Sequence, residues 1–240
     1  MGRGAYSFKV RTYECDRESF VTMPSICNYL QEAASINAGE LGFSKSNFDS
    51  LGENVSWVLT RLAVKMHSYP RWEDEITVET FPRGGRRIVA WRDFEIKDST
   101  GAVIGVASSE WMLIDLGTRK IVAVPEAVLS CVDPADTPVL GENPFHKLRF
   151  PVESVEYSRE FAAQKSHIDL NGHVNNVHYI EWMLEPCANA RPLEMAVVFR
   201  EEAFAGDTVK VATASVDGGF MHRVYSSAGK DHIIACTKYC

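Results

Sequence analysis

Apolar and polar positions follow two periods along this chain, and the periods predict its helices and strands. Residues 5–13 alternate as a strand does, whereas residues 23–41 carry apolar side chains on one helical stripe. Pro24 fits the first turn of this helix, and Gly42 fits its end. Four strand-like runs follow at residues 55–66, 73–81, 87–97 and 102–116, with turns predicted at residues 84–85 and 100–101.

The same order of elements is predicted again in the second part of the chain. Residues 131–150 contain prolines at 134, 138 and 144 and have no period, so they are interpreted as a linker. A strand at 153–161, a loop and a helix ending near residue 187 come next. Strands are then predicted at residues 194–204, 207–216, 219–227 and 231–239.

Short similarities indicate that the second part is an internal repeat of the first. Residues 29–32 align with 179–182 at an offset of 150, residues 72–78 with 205–211 at 133, and Gly101 with Gly229 at 128. Each copy then has a strand, a long helix and four strands without helical crossovers. This order predicts an α+β fold in which each copy is an antiparallel sheet wrapped around its helix, and the two copies pack as a pseudo-dimer.

The densest polar cluster of the chain lies where a loop becomes the second long helix. Asp169, Asn171, His173 and the pair Asn175-Asn176 fall within eight residues. A helix start exposes unpaired N–H groups and the positive end of the helix dipole, which would stabilise an oxyanion. Capping explains one such residue, but one helix needs only one cap. The offset of 150 places Asp169 opposite Ser19, Asn171 opposite Val21 and His173 opposite Met23, so a single polar site is expected.

Composition narrows the class of function. The net charge of −7 argues against general nucleic-acid binding. No apolar run approaches the roughly 20 residues of a membrane span, and the N-terminus lacks the apolar region of a signal peptide, so a cytoplasmic protein is expected. The six cysteines are scattered, and His167, His173 and His178 lack the spacing of a zinc site. Neither a metal nor a cofactor is therefore expected.

The polar cluster resembles the active-site segment of the acyl-[acyl-carrier-protein] thioesterases. Residues 169–179 read D-L-N-G-H-V-N-N-V-H-Y and are similar to the family pattern D-x-N-x-H-V-N-N-x-x-Y. Residues 57–66, Arg86-Arg87 before residues 91–93, and Trp111 before residues 118–120 are also similar to the family. The resemblance implies two tandem hotdog domains, at residues 1–130 and 151–240, joined by the linker at 131–150.

The resemblance also implies a catalytic set. Asp169, Asn171 and His173 match the family motif, and Glu202 matches the family's catalytic glutamate. Ala203 stands where the family has cysteine, which removes a Cys–His nucleophilic pair and leaves a mechanism based on carboxylates and water. In a strand at 194–204, Glu201 and Glu202 face opposite sides, and the pattern alone does not decide which one enters a pocket. The alternative for Glu202 is a solvated strand residue.

Further expectations concern the substrate. Backbone N–H groups of Gly172 and Val174 would polarise the thioester carbonyl, and residues of the first copy would line an acyl pocket, unless they are ordinary core: Ile26, Leu30, Trp57 and Leu59. The expected partner is an acyl carrier protein bearing a phosphopantetheine-linked acyl chain. Its candidate docking patch is Arg83, Arg86 and Arg87, and the alternative there is a solvated turn.

Two other functions are left open by the residues. The first is an acyl-CoA thioesterase of the hotdog type, because the same chemistry serves both carriers. The second is a non-catalytic acyl-binding module, against which the density of polar groups at residues 169–173 argues. The sequence leaves open the length of the acyl chain, the order of action of Asp169 and Glu202, and whether the chain is a monomeric pseudo-dimer or a homodimer.

Overall fold

The computed structural model describes residues 2–50, 52–141, 148–187 and 191–239. In the predicted linker, residues 131–141 and 148–150 form no helix or strand. The rest of the predicted linker, residues 142–147, lies outside the described residues, as does Cys240. None of the helices in the described ranges is long and apolar enough to cross a membrane.

The first half of the chain follows the predicted order with short additions. Its strands are β1 (Gly4–Lys9), β2 (Val55–Met66), β3 (Glu75–Arg86), β4 (Val89–Lys97), β5 (Val103–Asp115) and the short β6 (Ile121–Val122). Its helices are α1 (Met23–Glu40), α2 (Lys45–Ser50) and α3 (Glu126–Leu129). Sequence periodicity did not predict α2, α3 or β6, because the two helices have fewer than two turns and the strand has only two residues.

The second half repeats the principal elements of the first. It consists of β7 (Tyr157–Ala162), α4 (Asn176–Leu184), β8 (Glu194–Phe199), β9 (Thr208–Val216), β10 (Gly219–Ser226) and β11 (Asp231–Lys238). Two of the three aligned segments are confirmed by backbone conformation. Glu73 and Gly206, at an offset of 133, are both left-handed, with φ of 71° and 92°, and so are Gly101 and Gly229, at 86° and 82°.

All the strands belong to one antiparallel sheet whose two halves have the same strand order. The order is β1-β3-β4-β5-β2 in the first half, followed by β8-β11-β10-β9-β7, with β6 paired to β5. The second strand of each repeat therefore meets the other at the centre, where Ala63 lies opposite Ala196. This arrangement is the pseudo-dimer expected of two tandem hotdog units, with the sheet wrapped around the helices.

Helices α1 and α4 contact each other, and one main core extends through both halves. Leu30 of α1, Ile180 of α4 and Val197 of β8 belong to this core and are almost fully buried. Helix α1 begins as predicted: Pro24 lies in its first turn, and the side chain of Thr22 accepts a hydrogen bond from the Ser25 N–H at 3.3 Å. The apolar stripe thus fixes how α1 faces the sheet.

Two predicted boundaries are wrong in ways that concern function. Strand β8 ends at Phe199 rather than at 204, so strand alternation does not describe Glu201 and Glu202. Residues 84–85 are not the turn between β3 and β4; they form an irregularity inside β3, where a Cβ on Gly85 would lie 2.1 Å from the Val89 carbonyl oxygen. The turn falls at residues 87–88.

Candidate active site

The polar cluster forms a tight loop immediately before α4. The Asn171 N–H donates a hydrogen bond to Asp169 Oδ1 at 2.8 Å, the Gly172 N–H to the Asp169 carbonyl at 3.1 Å, and the Asp169 N–H to the His173 carbonyl at 2.9 Å. Gly172 has φ of 87°, and a Cβ there would meet nothing within 4 Å. A left-handed conformation favours glycine, which suits residue 172 to this turn.

The loop before α1 has the same hydrogen bonds, and it corrects the expected alignment of the repeats. The Glu18 N–H donates to Asp16 Oδ1 at 2.8 Å, the Ser19 N–H to the Asp16 carbonyl at 3.0 Å, and the Asp16 N–H to the Phe20 carbonyl at 2.7 Å. The offset here is 153, since 169 − 16 = 153, rather than 150. The true counterparts of Asp169, Asn171 and His173 are Asp16, Glu18 and Phe20; the expected Ser19, Val21 and Met23 are wrong.

Arginine side chains occupy the first-half loop. Arg191 donates from Nε to Asp16 Oδ2 at 2.8 Å and from Nη2 to Glu18 Oε2 at 2.7 Å. The guanidinium groups of Arg71 and Arg191 each lie 3.9 Å from the ring centroid of Phe20. Since this loop has a phenyl ring in place of an imidazole and both its acids are paired, the second half carries the candidate active site.

His173 lies between two carboxylates in the second half. Its Nε2 is 3.2 Å from Glu202 Oε1, and its Nδ1 is 3.9 Å from Asp169 Oδ1. The side chains of His173, Asp169 and Glu202 are 18%, 22% and 25% exposed, so water reaches them although most of their surface is enclosed. A neutral imidazole in this position can accept a proton from one partner and donate one to another group.

Glu202 reaches His173 because the chain leaves the sheet after β8 and is held against the loop. The Val174 N–H donates to the Ala203 carbonyl at 2.8 Å, and the Ala203 N–H donates to the Tyr179 hydroxyl at 2.8 Å. Burial raises the pKa of Tyr179, so its hydroxyl stays neutral. These two hydrogen bonds hold the backbone next to Glu202 against the loop that carries His173.

Ala203 itself is fully buried and belongs to the main hydrophobic core. The residue type at this position therefore affects packing rather than the groups around His173. A carboxylate-based site that needs no cysteine stays a prediction.

Two backbone donors expected to polarise a carbonyl are already engaged. The Gly172 N–H is bonded to the Asp169 carbonyl, and the Val174 N–H to the Ala203 carbonyl, so the expectation for both is wrong. Asn175 is the cap of α4, since its Oδ1 accepts from the Val177 N–H at 3.0 Å. Asn176 is the first residue of α4 and lines the same open space as His173, at the helix end where N–H groups lack intrahelical acceptors.

The site lies in a cleft of about 660 Å³ between the two halves. A second cavity of about 230 Å³, lined mainly by apolar surface, lies in the first half between α1 and the sheet, with Ala34, Ala38 and Trp91 among its lining residues. Gln31, Trp57 and Trp111 line both spaces. The cleft therefore adjoins the first-half cavity, which we call the chamber.

The predicted pocket residues fall into two groups. Trp57 lines both the cleft and the chamber, and Leu59 lines the cleft. Ile26 and Leu30 are almost fully buried in the main core and line neither space, so their assignment to the pocket is corrected. On α1, the face that carries Ile26 and Leu30 packs into the core, whereas Ala34 and Ala38, further along the helix, reach the chamber.

The predicted docking arginines also divide. The side chain of Arg83 is 10% exposed, and its Nε lies 3.2 Å from Oδ2 of the fully buried Asp93, so Arg83 is part of an internal ion pair and is removed from the docking patch. Arg86 and Arg87 are exposed at the end of the β3–β4 hairpin. Of the three predicted docking arginines, only Arg86 and Arg87 have the accessibility that docking requires.

Sequence reasoning missed several residues of the cleft. Arg119, on the turn after β5, forms an ion pair with Glu202 although the two are 83 residues apart in the chain. Gln31 and Trp111 line both the cleft and the chamber. Arg119 and Trp111 lie in segments that resemble the thioesterase family, which was the one available signal for them. No three His, Cys, Asp or Glu side chains of the described residues form a group able to hold a metal ion.

The fold and the site together define a class of protein. Two hotdog units are fused through β2 and β8, and a carboxylate–imidazole site occurs at the start of the second long helix. The family model described as the acyl-ACP thioesterase N-terminal domain matches residues 5–132, and the model of the C-terminal domain matches residues 152–239. The chain belongs to the acyl-ACP thioesterase family.

Individual relatives agree with this membership. An oleoyl-acyl carrier protein thioesterase of Arabidopsis thaliana is 31% identical over 87% of this chain and 62% of its own length. A palmitoyl-acyl carrier protein thioesterase of the same plant is 31% identical over 75% of this chain and 46% of its own. The matches thus span about half to three-fifths of these plant relatives. Both are named as chloroplastic, and the cytoplasmic location expected from the sequence stays a prediction.

Solved structures share the fold over the whole chain. The crystal structure of an acyl-ACP thioesterase from Bacteroides thetaiotaomicron has a TM-score of 0.87 at 26% identity and covers 100% of this chain and 98% of its own. A 12:0-ACP thioesterase from Umbellularia californica has a TM-score of 0.86 at 22% identity, with the same coverage, and supports the fold alone. The double-hotdog architecture is therefore shared with this family.

Proposed function

We propose that this protein hydrolyses the thioester of acyl-[acyl-carrier-protein] and releases a free fatty acid, which ends fatty-acid synthesis. The observation that carries the proposal is an imidazole between two carboxylates in a cleft that adjoins an apolar chamber. The names of the relatives point to the same substrate. In this proposal residues 1–130 supply the acyl chamber, residues 151–240 supply the chemistry, and residues 131–150 join them.

In the proposed reaction Glu202 and His173 activate a water molecule. The water gives a proton to Glu202 while its oxygen attacks the carbonyl carbon. The tetrahedral intermediate collapses with loss of the carbon–sulfur bond, and the proton reaches the leaving thiolate through the imidazole of His173. The products are a carboxylic acid and the thiol of the phosphopantetheine arm. General acid–base assistance of this kind is worth about 10²–10⁴-fold in rate.

The remaining polar groups are assigned to orientation. Asp169 accepts the Asn171 N–H and lies beside Nδ1 of His173, so it keeps the loop and the imidazole in place. The side chain of Asn171, whose Nδ2 is 3.4 Å from Asp169 Oδ2, is exposed and available to hold the thioester. The carbonyl oxygen would face the start of α4 at Asn176, where the helix dipole stabilises negative charge.

Filling the chamber should shorten the preferred acyl chain. Ala38 of α1 lines the chamber, so a phenyl ring introduced by Ala38→Phe would occupy space that the proposal gives to the end of the acyl chain. We expect kcat/KM for the longest accepted substrate to fall about tenfold or more, because two excluded methylenes cost about 1.6 kcal/mol. Rates with shorter chains should stay near those of the wild type.

A matched control for Ala38→Phe places the same ring outside the chamber. Ala127→Phe adds the same ring at an exposed position of α3 and should leave the chain-length profile unchanged. The measurement is kcat/KM for carrier thioesters of increasing acyl length. A uniform loss at every length in Ala38→Phe, or an unchanged profile, would exclude the chamber as the acyl site.

Carrier docking at the β3–β4 hairpin makes a separate prediction. The double charge reversal Arg86→Glu/Arg87→Glu should raise KM for an acyl carrier protein substrate several-fold at low salt, because steering by opposite charges is lost. KM for the same acyl group on coenzyme A should change little. The variant Lys9→Glu/Arg17→Glu, which changes the net charge equally at exposed sites elsewhere, is the control. An unchanged KM for the carrier substrate at low salt would reject docking at the hairpin.

The direct test of the proposed substrate compares the two carriers. One acyl group is presented on acyl carrier protein and on coenzyme A, and kcat/KM is measured for each. A clear preference for the carrier protein supports the proposal. Equal or better use of coenzyme A would replace it by an acyl-CoA thioesterase, and binding without turnover on either carrier would indicate an acyl-binding module.

A further inference from the structure

The one described ion pair of Glu202 with an arginine comes from the opposite half of the molecule. Arg119 Nη2 contacts Glu202 Oε2, while the other carboxylate oxygen, Oε1, faces His173 Nε2 at 3.2 Å. We infer that Arg119 is a positioning residue that orients the Glu202 carboxylate toward the imidazole, an inference that rests on the proposed function. The active site is then assembled from both halves of the chain rather than from the second alone.

The turn that carries Arg119 is built to fix the direction of this side chain. Asp115 Oδ1 accepts hydrogen bonds from the Thr118 N–H at 2.6 Å and from the Thr118 hydroxyl at 2.8 Å. The Arg119 N–H donates to the Asp115 carbonyl at 2.8 Å, and Arg119 has φ of 58°. A left-handed conformation is costly for a residue with a Cβ, so the surrounding bonds must hold it. Strand β6 closes the turn by pairing with β5.

The other cations near Glu202 are committed to different acids. Arg200 Nη1 donates to Asp231 Oδ2 at 3.0 Å, and Lys230 Nζ lies 3.3 Å from Glu201 Oε1. Arg119 is thus the cation that the described structure places on Glu202. An arginine on one oxygen leaves the second oxygen aimed at the imidazole, and a fork-shaped guanidinium restrains rotation of the carboxylate better than an ammonium does.

This ion pair has little to contribute to folding. The side chain of Arg119 is 50% exposed, and solvent-exposed ion pairs contribute little to stability. Removing Arg119 should therefore change the melting temperature only slightly. A loss of turnover without a loss of stability separates a positioning role from a structural one. The distance between His173 and Glu202, rather than the integrity of the fold, is what the pair controls.

The test is a double-mutant cycle on turnover. Arg119→Ala should lower kcat about tenfold to a hundredfold, the scale on which misplaced catalytic groups cost rate, with KM for the acyl-carrier substrate nearly unchanged. Arg119→Lys should restore part of kcat. In a Glu202→Gln background, Arg119→Ala should have no further effect, because its action passes through the carboxylate. Arg159→Ala, which removes a similarly exposed arginine paired with Glu185, is the matched control and should keep wild-type kcat.

The possible outcomes distinguish this inference from the proposed function. Equal losses from Arg119→Ala in the wild-type and Glu202→Gln backgrounds would overturn the positioning role, as would a rise in KM with unchanged kcat, which would mean that Arg119 contacts the substrate. Wild-type kcat in Arg119→Ala would also overturn it. In all three cases the wild type still hydrolyses the substrate. A wild type that releases no thiol from any acyl-carrier substrate would instead refute the proposed function, and the inference with it.

Discussion

Glu202→Gln should lower kcat by about 10²–10⁴-fold, the usual contribution of a general base. Glutamine has nearly the same shape as glutamate but does not accept a proton from water. The neutral amide also loses the ion pair with Arg119, while the approach to His173 remains sterically unchanged. The measurement is single-turnover thiol release from an acyl-carrier thioester, with the melting temperature as a check on folding.

The neighbouring carboxylate provides the matched control for this prediction. Glu201 pairs with Lys230, and its side chain is 46% exposed. Glu201→Gln should therefore keep turnover within about twofold of the wild type, since exposed ion pairs carry little energy. If Glu201→Gln were the inactive variant and Glu202→Gln the active one, the assignment of the base would be contradicted.

Arg83→Met should lower the free energy of unfolding by about 3–5 kcal/mol, the cost of leaving a buried charge without its partner. Asp93 is fully buried, and its Oδ2 lies 3.2 Å from Arg83 Nε and accepts the Val139 N–H at 3.1 Å. Methionine keeps much of the volume of the arginine stem but removes the charge. The measurement is chemical denaturation at neutral pH, with Lys45→Met, which removes an exposed ion pair with Asp49, as a control expected to cost little.

The effect of Arg83→Met should depend on pH in a defined direction. Burial raises the pKa of Asp93 above its ordinary value, so the native state holds this proton more tightly than the unfolded chain does. Without Arg83 the pKa rises further, and stability is lost as the pH increases above about 4, the pKa in the unfolded chain. The deficit should therefore be largest at neutral pH and shrink as the carboxyl becomes protonated in acid.

A second variant tests whether the unpaired charge of Asp93 causes the loss of stability. Arg83→Met/Asp93→Asn removes the buried charge but retains an oxygen for the Val139 N–H, so most of the lost stability should return. A single variant that is as stable as the wild type would mean that Arg83 is not a structural ion-pair partner. It would also reopen the possibility that Arg83 belongs to the docking patch.

Periodicity was sufficient where an element makes regular contacts along its length. Strand β2 was predicted at residues 55–66 and is observed as Val55–Met66, and α1 begins at Met23 as predicted. Both elements are long and keep one face in the core, so the pattern contains enough periods to locate them. The antiparallel direction of the strands followed from the absence of helical crossovers.

The alignment of the two loops was wrong for a geometric reason. The similarity of residues 29–32 to residues 179–182 gave an offset of 150, whereas the loops and the helix caps correspond at 153. A shift of three residues is close to the 3.6-residue period of an α-helix, so the apolar stripe matches in both registers. The loop hydrogen bonds, which sequence similarity does not report, decide between them.

The contacts that build the site join residues far apart in the sequence, so the pattern of neighbouring residues did not predict them. Glu202 approaches His173 because Tyr179 and Val174 hold the backbone of Ala203, and these partners are 24 and 29 residues away in the chain. Arg83 was predicted to be an exposed residue on a turn. Its partner Asp93 lies on the opposite strand of the hairpin, where the residues next to Arg83 in the sequence do not reveal it. In both cases a tertiary partner overrides what the neighbouring residues suggest.

Thiol release tests whether the second-half site hydrolyses an acyl-carrier thioester. Carrier thioesters from C4 to C18 are incubated with the wild type and with Asp169→Ala, and free thiol is measured over time. We expect release by the wild type over a limited range of chain lengths and a strong loss in Asp169→Ala. Full activity in Asp169→Ala, or no release by the wild type from any member of the series, would refute hydrolysis by this site.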